Sequence, residues 1–183
     1  MSKIGSAIKS LVFNVIHFFI LGETGDLEKK TGNTKKFTRS QEQRFKASRQ
    51  LVTKANVWLL KISKGRLGNS FLGMPILLLT TIGRKSGKPR TQPVYFVRDG
   101  QRIVLVASNG GSPDNPTWLL NAQANPAVVI EIMGHKQDMT FRVASADEKA
   151  QMWPKLTGLF PMWQEVEDRS QRVFPVIILE PAG

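Results

Sequence analysis

Residues 80 to 96 read TTIGRKSGKPRTQPVYF and follow directly on the apolar run Ile76 to Leu79. The pattern is a strand, a charged turn and a second strand. Four cations, Arg84, Lys85, Lys88 and Arg90, fall within seven residues beside Gly83 and Gly87. The glycines let the backbone approach closely and take positive φ, so main-chain N–H groups can converge on phosphate or carboxylate oxygens while side chains supply charge. On turn chemistry alone, an ordinary charged hairpin explains the stretch equally well. A nucleotide P-loop is excluded, because three residues rather than four separate the glycines and Pro89 follows Lys88 where a metal-reaching Ser or Thr would stand.

Outward from this turn the chain reads as strands: Ile76 to Thr81, Gln92 to Arg98, Arg102 to Ser108, Ala127 to Met133, Gln137 to Ala144 and Val173 to Glu180. Asp99-Gly100 and Gly134-His135 are hairpin turns. Two helices interrupt the strands. Asn115-Pro116 caps one that runs to about Ala124, and Ser145 with Glu148 forms a capping box for another from about Asp147. Short antiparallel strands with few crossover helices predict a mainly β fold, a barrel with flanking helices rather than a doubly wound sheet.

The N-terminal third differs. Residues 4 to 21 place Ile4, Ile8, Leu11, Val12, Val15 and Phe19 at helical spacing, with Asn14 and His17 interrupting the apolar run. That run is shorter than the ~20 residues that span a bilayer. Residues 23 to 66 hold twelve basic side chains against four acidic ones, out of a formal charge of +12 for the whole chain. We expect an amphipathic helix over residues 1–22, a basic linker and helix over 23–64, and the barrel domain over 65–183. The first two suit peripheral contact with an anionic membrane surface, at the inner face of the plasma membrane of a cytoplasmic protein. A helix packed on the domain is the competing account. Nucleic acid is not expected as a partner, because the basic region lacks aromatic interleaving and any groove-reading motif. Cysteine is absent and the two histidines, His17 and His135, are far apart in the chain. Thiol catalysis, disulfides and a Cys- or His-rich metal site are therefore excluded.

Three blocks in order, TTIGRKSGKPRTQPVYF, VASNGGSPDNPTWLLNAQANP (residues 106–126) and WPKLTGLFP (residues 153–161), resemble the deazaflavin-dependent nitroreductase family, whose relatives include F420H2-dependent quinone reductases. The resemblance covers about Gly65 to Pro181. It implies a split β-barrel of the FMN-binding or flavin-reductase type. By position, Arg84, Lys85, Ser86, Gly87 and Arg90 match the family's contacts to the cofactor's phosphate and polyglutamate end. Gln92, Pro93, Val94 and Tyr95 would run along the cofactor. Ala107, Ser108, Asn109, Gly110 and Gly111 would meet the ring, with Asn115 and Trp118 closing over it. Many relatives have Lys where this chain has Asn109, so one cation of the family pattern is missing.

The implied chemistry is hydride transfer from reduced coenzyme F420 to a quinone or a related small acceptor, and it needs no metal or catalytic triad. Ser108 is the candidate for a hydrogen bond to the reducible oxygen or to the ring, and Tyr95, the only tyrosine, either positions substrate or simply packs. Phe160, Trp163 and Val166 stand where nitroreducing relatives place tyrosines, and here they would form an apolar acceptor wall. An FMN-dependent reductase of the same barrel is the alternative enzyme, and a non-catalytic cofactor- or nucleic-acid-binding protein the alternative to an enzyme.

Overall fold

The computed structural model describes Val57–Gly183 apart from residues 59, 61, 64–69, 72 and 171, all within one compact unit. The expected amphipathic helix and basic linker lie outside the described residues. Among the described residues eight strands carry the fold: β1 Ser70–Phe71, β2 Met74–Ile82, β3 Pro89–Tyr95, β4 Val97–Asp99, β5 Arg102–Val106, β6 Ala127–Ile132, β7 His135–Val143 and β8 Val176–Pro181. Among the described residues these are joined by the helices α1 Thr117–Ala124, α2 Ala146–Leu159 and α3 Met162–Arg169 and by a 3-10 turn at Asn109–Gly111.

Every pairing is antiparallel, and the ladder runs β3-β2-β6-β7-β8-β5-β4, with β1 added to β2. The two ends of this ladder, β3 and β4, are consecutive in the chain and separated by Phe96 alone. The sheet must therefore curl until its ends approach, which is the split β-barrel expected above, open because no ladder pairs β3 with β4 or β5 among the described residues. Sequence reading takes Gln92 to Arg98 as one strand. The break at Phe96 arises because its side chain is buried and its N–H turns to the carbonyl of Pro75 (3.2 Å), leaving the β3 ladder.

Side chains of successive residues in a strand point to opposite faces. Leu77 and Leu79 of β2, Ile103 and Leu105 of β5, and Ile177 and Leu179 of β8 fill an inner core with Ile130, Met139 and Phe141, joined by Trp118, Leu119 and Ala122 of α1. The alternate positions Val104 and Val176, with Met74 and Val97, face a second apolar layer under Leu156 of α2 and Trp163 of α3. Both faces being covered, β2 and β8 read as continuous apolar runs rather than alternating ones.

Several boundaries depart from the sequence reading for local reasons. The β6–β7 turn is Met133-Gly134, both at positive φ (51° and 82°), so His135 already belongs to β7. The β4–β5 loop is Gly100-Gln101, with Gly100 at φ 63°. β8 begins at Val176. Pro161 follows the end of α2 and starts α3 as a separate helix, an element the sequence reading leaves out. The cap of α1 is Pro116, whose ring has no oxygen to make a side-chain cap bond, and Asn115 is not the cap. The Ser145 capping box forms as expected, with Glu148 N–H to Ser145 Oγ at 3.1 Å and Ser145 N–H to Glu148 Oε2 at 2.8 Å.

Glu148 also receives a two-pronged bond from Arg142 of β7 (2.8 and 2.9 Å), and Arg142 reaches Glu180 of β8 (3.2 Å). The Arg142 guanidinium, followed by the Ser145 amide, holds the Glu148 carboxyl down to about 2 from an ordinary 4.5. A depressed carboxyl pKa stabilises the fold above the unfolded value and loses that contribution as pH falls through the folded one. Glu148→Gln should therefore lower the urea midpoint at pH 7, and the gap to the parent should shrink as pH falls from 4.5 toward 2. A gap that stays constant across that range would remove this pair from the acid response.

Candidate cofactor-binding site

The β2–β3 turn is shaped by its own backbone. Gly83 N–H bonds to Lys88 O (2.9 Å), and Ser86 and Gly87 N–H both return to Gly83 O (3.0 and 2.8 Å). Gly87 takes φ 64°, as a left-handed position in a tight turn demands. Gly83 serves by close approach instead, because a Cβ there would meet Ser86 Oγ at 2.8 Å and Lys88 O at 3.2 Å. The residues Arg84 to Arg90 are exposed, and Arg84, Lys85, Lys88 and Arg90 form no ion pair among the described residues. Four cations without a carboxylate repel one another, a cost that an anionic ligand would relieve. The donor set thus suits a tail of phosphate and carboxylates.

Asn121 ties this turn to α1. Its side chain is 3% exposed; Oδ1 accepts from Arg84 N–H (3.2 Å) and Nδ2 donates to Thr81 Oγ1 (3.3 Å). Sequence reading misses Asn121, although one signal was present: it is a polar residue at the apolar spacing set by Trp118 and Ala122.

Beyond the turn, β3 carries Gln92, Pro93 and Val94, each half-buried and opposite Leu79, Leu78 and Leu77 of β2. Val94 packs on the inner core, whereas Tyr95, one residue on, packs with the second apolar layer. Burial pushes the Tyr95 phenol well above its ordinary value.

The loop after β5 holds the second group of expected contacts. Ala107 is fully buried, while Ser108 and Asn109 are half-buried. The Ser108 hydroxyl makes no hydrogen bond among the described residues. Asn109 (φ 50°), Gly110 (63°) and Gly111 (80°) form a run of left-handed residues, which makes this a sharply folded loop. A Cβ at Gly111 would come within 2.9 Å of Val166 Cγ1, so α3 lies directly against the loop. Asn109 Nδ2 donates to Asp114 O (2.9 Å).

Arg172, just before β8, binds the same loop. Its guanidinium reaches Ala107 O, Ser108 O, Ser112 O and Asn115 Oδ1. Nothing in the local sequence marks this arginine, because its partners lie 57 to 65 residues away in the chain.

The aromatic residues expected at the site divide. Trp118 is 7% exposed and part of the inner core. Trp163 is 3% exposed and packs edge-on against Phe160 with ring centroids 5.2 Å apart. Trp163 is therefore packing for the second layer rather than an open wall, while Phe160 and Val166 remain half-buried. Trp153, beside them, donates to Gln164 Oε1 (2.6 Å). No cluster of His, Cys, Asp or Glu among the described residues has the makings of a metal site.

Comparison with known proteins bears on this arrangement. An F420H(2)-dependent quinone reductase of Mycobacterium tuberculosis is 32% identical over 143 residues, covering 72% of this chain and 96% of that protein. A second protein of M. tuberculosis, named as a candidate reductase of the same kind, is 36% identical over 117 residues, covering 63% of this chain and 98% of its own length. The solved structure of an F420-H2 dependent reductase is 36% identical with a TM-score of 0.53, and covers 58% of this chain and 94% of that one. Residues 52–181 match the sequence profile of F420H(2)-dependent quinone reductase. With a matched stretch that takes in every described strand and both anchored loops, the chain belongs to the F420H2-dependent quinone reductase family.

Proposed function

We propose that this chain carries out the activity of its family, oxidising reduced coenzyme F420 and passing a hydride to a quinone. The observation that carries the assignment of parts is the set of four cations, without an ion-pair partner among the described residues, on a turn locked through Asn121 to α1, the helix that follows the Ala107–Asn115 loop. Arg84 and Arg90 bind the anionic tail through charge-assisted hydrogen bonds, supported by Lys85 and the main chain from Ser86 to Gly87. Gln92, Pro93 and Val94 form the track beside it. When bound, the deazaflavin supplies a carbon centre that gives up two electrons and a proton together.

The Ser108 hydroxyl donates to the reducible oxygen, since Oγ has no competing partner among the described residues. The Tyr95 phenol stays protonated throughout any practical assay range, because burial raises its pKa. It can donate a hydrogen bond but cannot serve as the base. Phe160 and Val166 supply the apolar side of the acceptor site, where ring burial is favourable by ~25 cal/mol per Å².

The tail assignment is tested by titrating the protein with oxidised and reduced deazaflavin beside FMN. Arg84→Ala and Arg90→Ala should each weaken deazaflavin binding roughly ten- to a hundredfold, the size of one lost charge-assisted bond, and Lys88→Ala should matter less. Parent-like binding by both arginine variants at low salt would return the turn to a plain hairpin.

Absence of phenols from the stretch 160–166 supports quinones over bulky nitroaromatics as acceptors. Val166→Ala should raise the quinone KM several-fold while leaving deazaflavin affinity nearly unchanged. Nitroimidazole turnover faster than quinone turnover, or an unchanged quinone KM, would remove this segment from the acceptor pocket. Trp163→Ala is unsuited to that test, because emptying a buried indole site costs about 3–5 kcal/mol of stability.

Location at an anionic membrane surface is supported by the apolar spacing of residues 4–21 and the twelve basic residues of 23–66. It predicts salt-sensitive binding to anionic vesicles that is lost on deleting residues 1–39 while turnover of a soluble acceptor persists. Equal partitioning of the full-length and shortened chains would contradict it.

A further inference from the structure

The Ala107–Asn115 loop is held from behind by Arg172, a side chain that neither the sequence nor the family resemblance singles out. Arg172 Nη2 donates to the carbonyl oxygens of Ser108 (2.6 Å) and Ala107 (3.1 Å), Nε to that of Ser112 (2.8 Å), and Nη1 to Asn115 Oδ1 (3.0 Å). Arg172 is itself fixed. Its guanidinium carbon lies 4.7 Å from the centre of the Phe174 ring, a cation–π distance. Phe174 is gripped at both main-chain groups, its N–H by Glu167 Oε1 (2.6 Å) and its carbonyl by Lys149 Nζ (3.0 Å). Lys149 and Glu167 are paired at 2.7 Å and mostly buried, so α2, α3 and the segment before β8 form one brace behind the loop. Burial lowers the Arg172 pKa, and the charges of Glu167 and Asp114 act in the opposite sense; an arginine remains cationic in either case.

The placement has an electrostatic consequence. In a trans peptide the C=O and N–H point in opposite directions. The carbonyls of Ala107 and Ser108 belong to the peptides that end in the N–H groups of Ser108 and Asn109. Both N–H groups therefore point away from Arg172, and a cation on the carbonyl side polarises each peptide toward a stronger donor. A hydride carries two electrons with its proton, so the reduced cofactor ring is richer by one negative charge than the oxidised ring until a proton compensates.

We propose that Arg172 is the positioning residue of the ring-binding loop, fixing the Ser108 hydroxyl and presenting the Ser108 and Asn109 N–H groups so that the reduced ring is favoured over the oxidised one. The inference rests on the assignment of this loop to the ring under the proposed function. A purely structural brace would support both redox forms alike, which separates the two roles.

Full-length parent, Arg172→Gln and Arg172→Lys are titrated anaerobically with oxidised and with reduced coenzyme F420, following the spectrum of the bound ring, with folding checked by circular dichroism. In Arg172→Gln the preference for the reduced form should fall roughly tenfold relative to the parent, the equivalent of one unit of pKa. Arg172→Lys keeps the charge without the fork, and its preference should fall less, roughly threefold. Equal weakening of both forms, with the preference unchanged, would overturn the inference. Should Arg172→Gln fail to fold, Arg172→Lys decides by the same ratio. A parent that binds neither form would overturn the loop assignment itself, and the role of Arg172 with it.

Discussion

Residues 89 to 99 serve both ends of one sheet: β3 pairs with β2 at one edge, and β4 pairs with β5 at the other. The whole transition takes place at Phe96, whose ring is buried and whose N–H leaves the β3 ladder for Pro75 O. Two edges joined by one residue cannot lie far apart, so the five strands β2, β6, β7, β8 and β5 must curve between them. That curvature creates an inside for Leu77, Leu105, Ile177 and their neighbours, and an outside that needs α2 and α3 as cover. The charged turn at the start of β3 and the sharp loop at the end of β5 are consequences of the same path, since both sit where strands leave the curled sheet.

Loops that project from a barrel are free to vary, but the two here are anchored. Asn121 converts the first from a flexible charged tip into a fixed one, by occupying the Arg84 N–H and the Thr81 hydroxyl from a buried position on α1. Arg172 does the same for the second through four acceptors. Neither anchor leaves a buried side-chain polar atom without a partner among the described residues. A site built this way has its ordering cost met within the folded protein, which leaves more of the ligand's interaction energy for binding.

The legibility of the chain tracked the range of the interactions involved. Strand, turn and capping signals are local, and TTIGRKSGKPR, the Ser145 capping box and the strong apolar runs of β2, β5 and β8 were all readable. Errors arose where a distant partner decided the outcome. Phe96 interrupts a strand because of Pro75, Asn115 is drawn from the cap of α1 by Arg172, and Trp163 is buried because β4, β5 and β8 present a second apolar face to α3. Met133 takes a left-handed turn position that its residue type does not advertise, imposed by the register of β6 on β7. The anchors Asn121 and Arg172 were missed for the same reason: each acts across tens of residues.

The central claim is that the charged turn recognises the anionic tail and the sharp loop the ring, so that affinity is divided between two separate anchors. The most direct measurement compares the Kd of intact coenzyme F420 with that of a deazaflavin lacking the phosphate and glutamates, each over a range of salt concentration. Charge-driven binding weakens with ionic strength, whereas stacking and hydrogen bonding to a neutral ring are screened far less. The account predicts that the intact cofactor binds more tightly at low salt, that its advantage shrinks as salt rises, and that the tail-less ring shows little salt dependence. Equal affinity of the two ligands at low salt would contradict it.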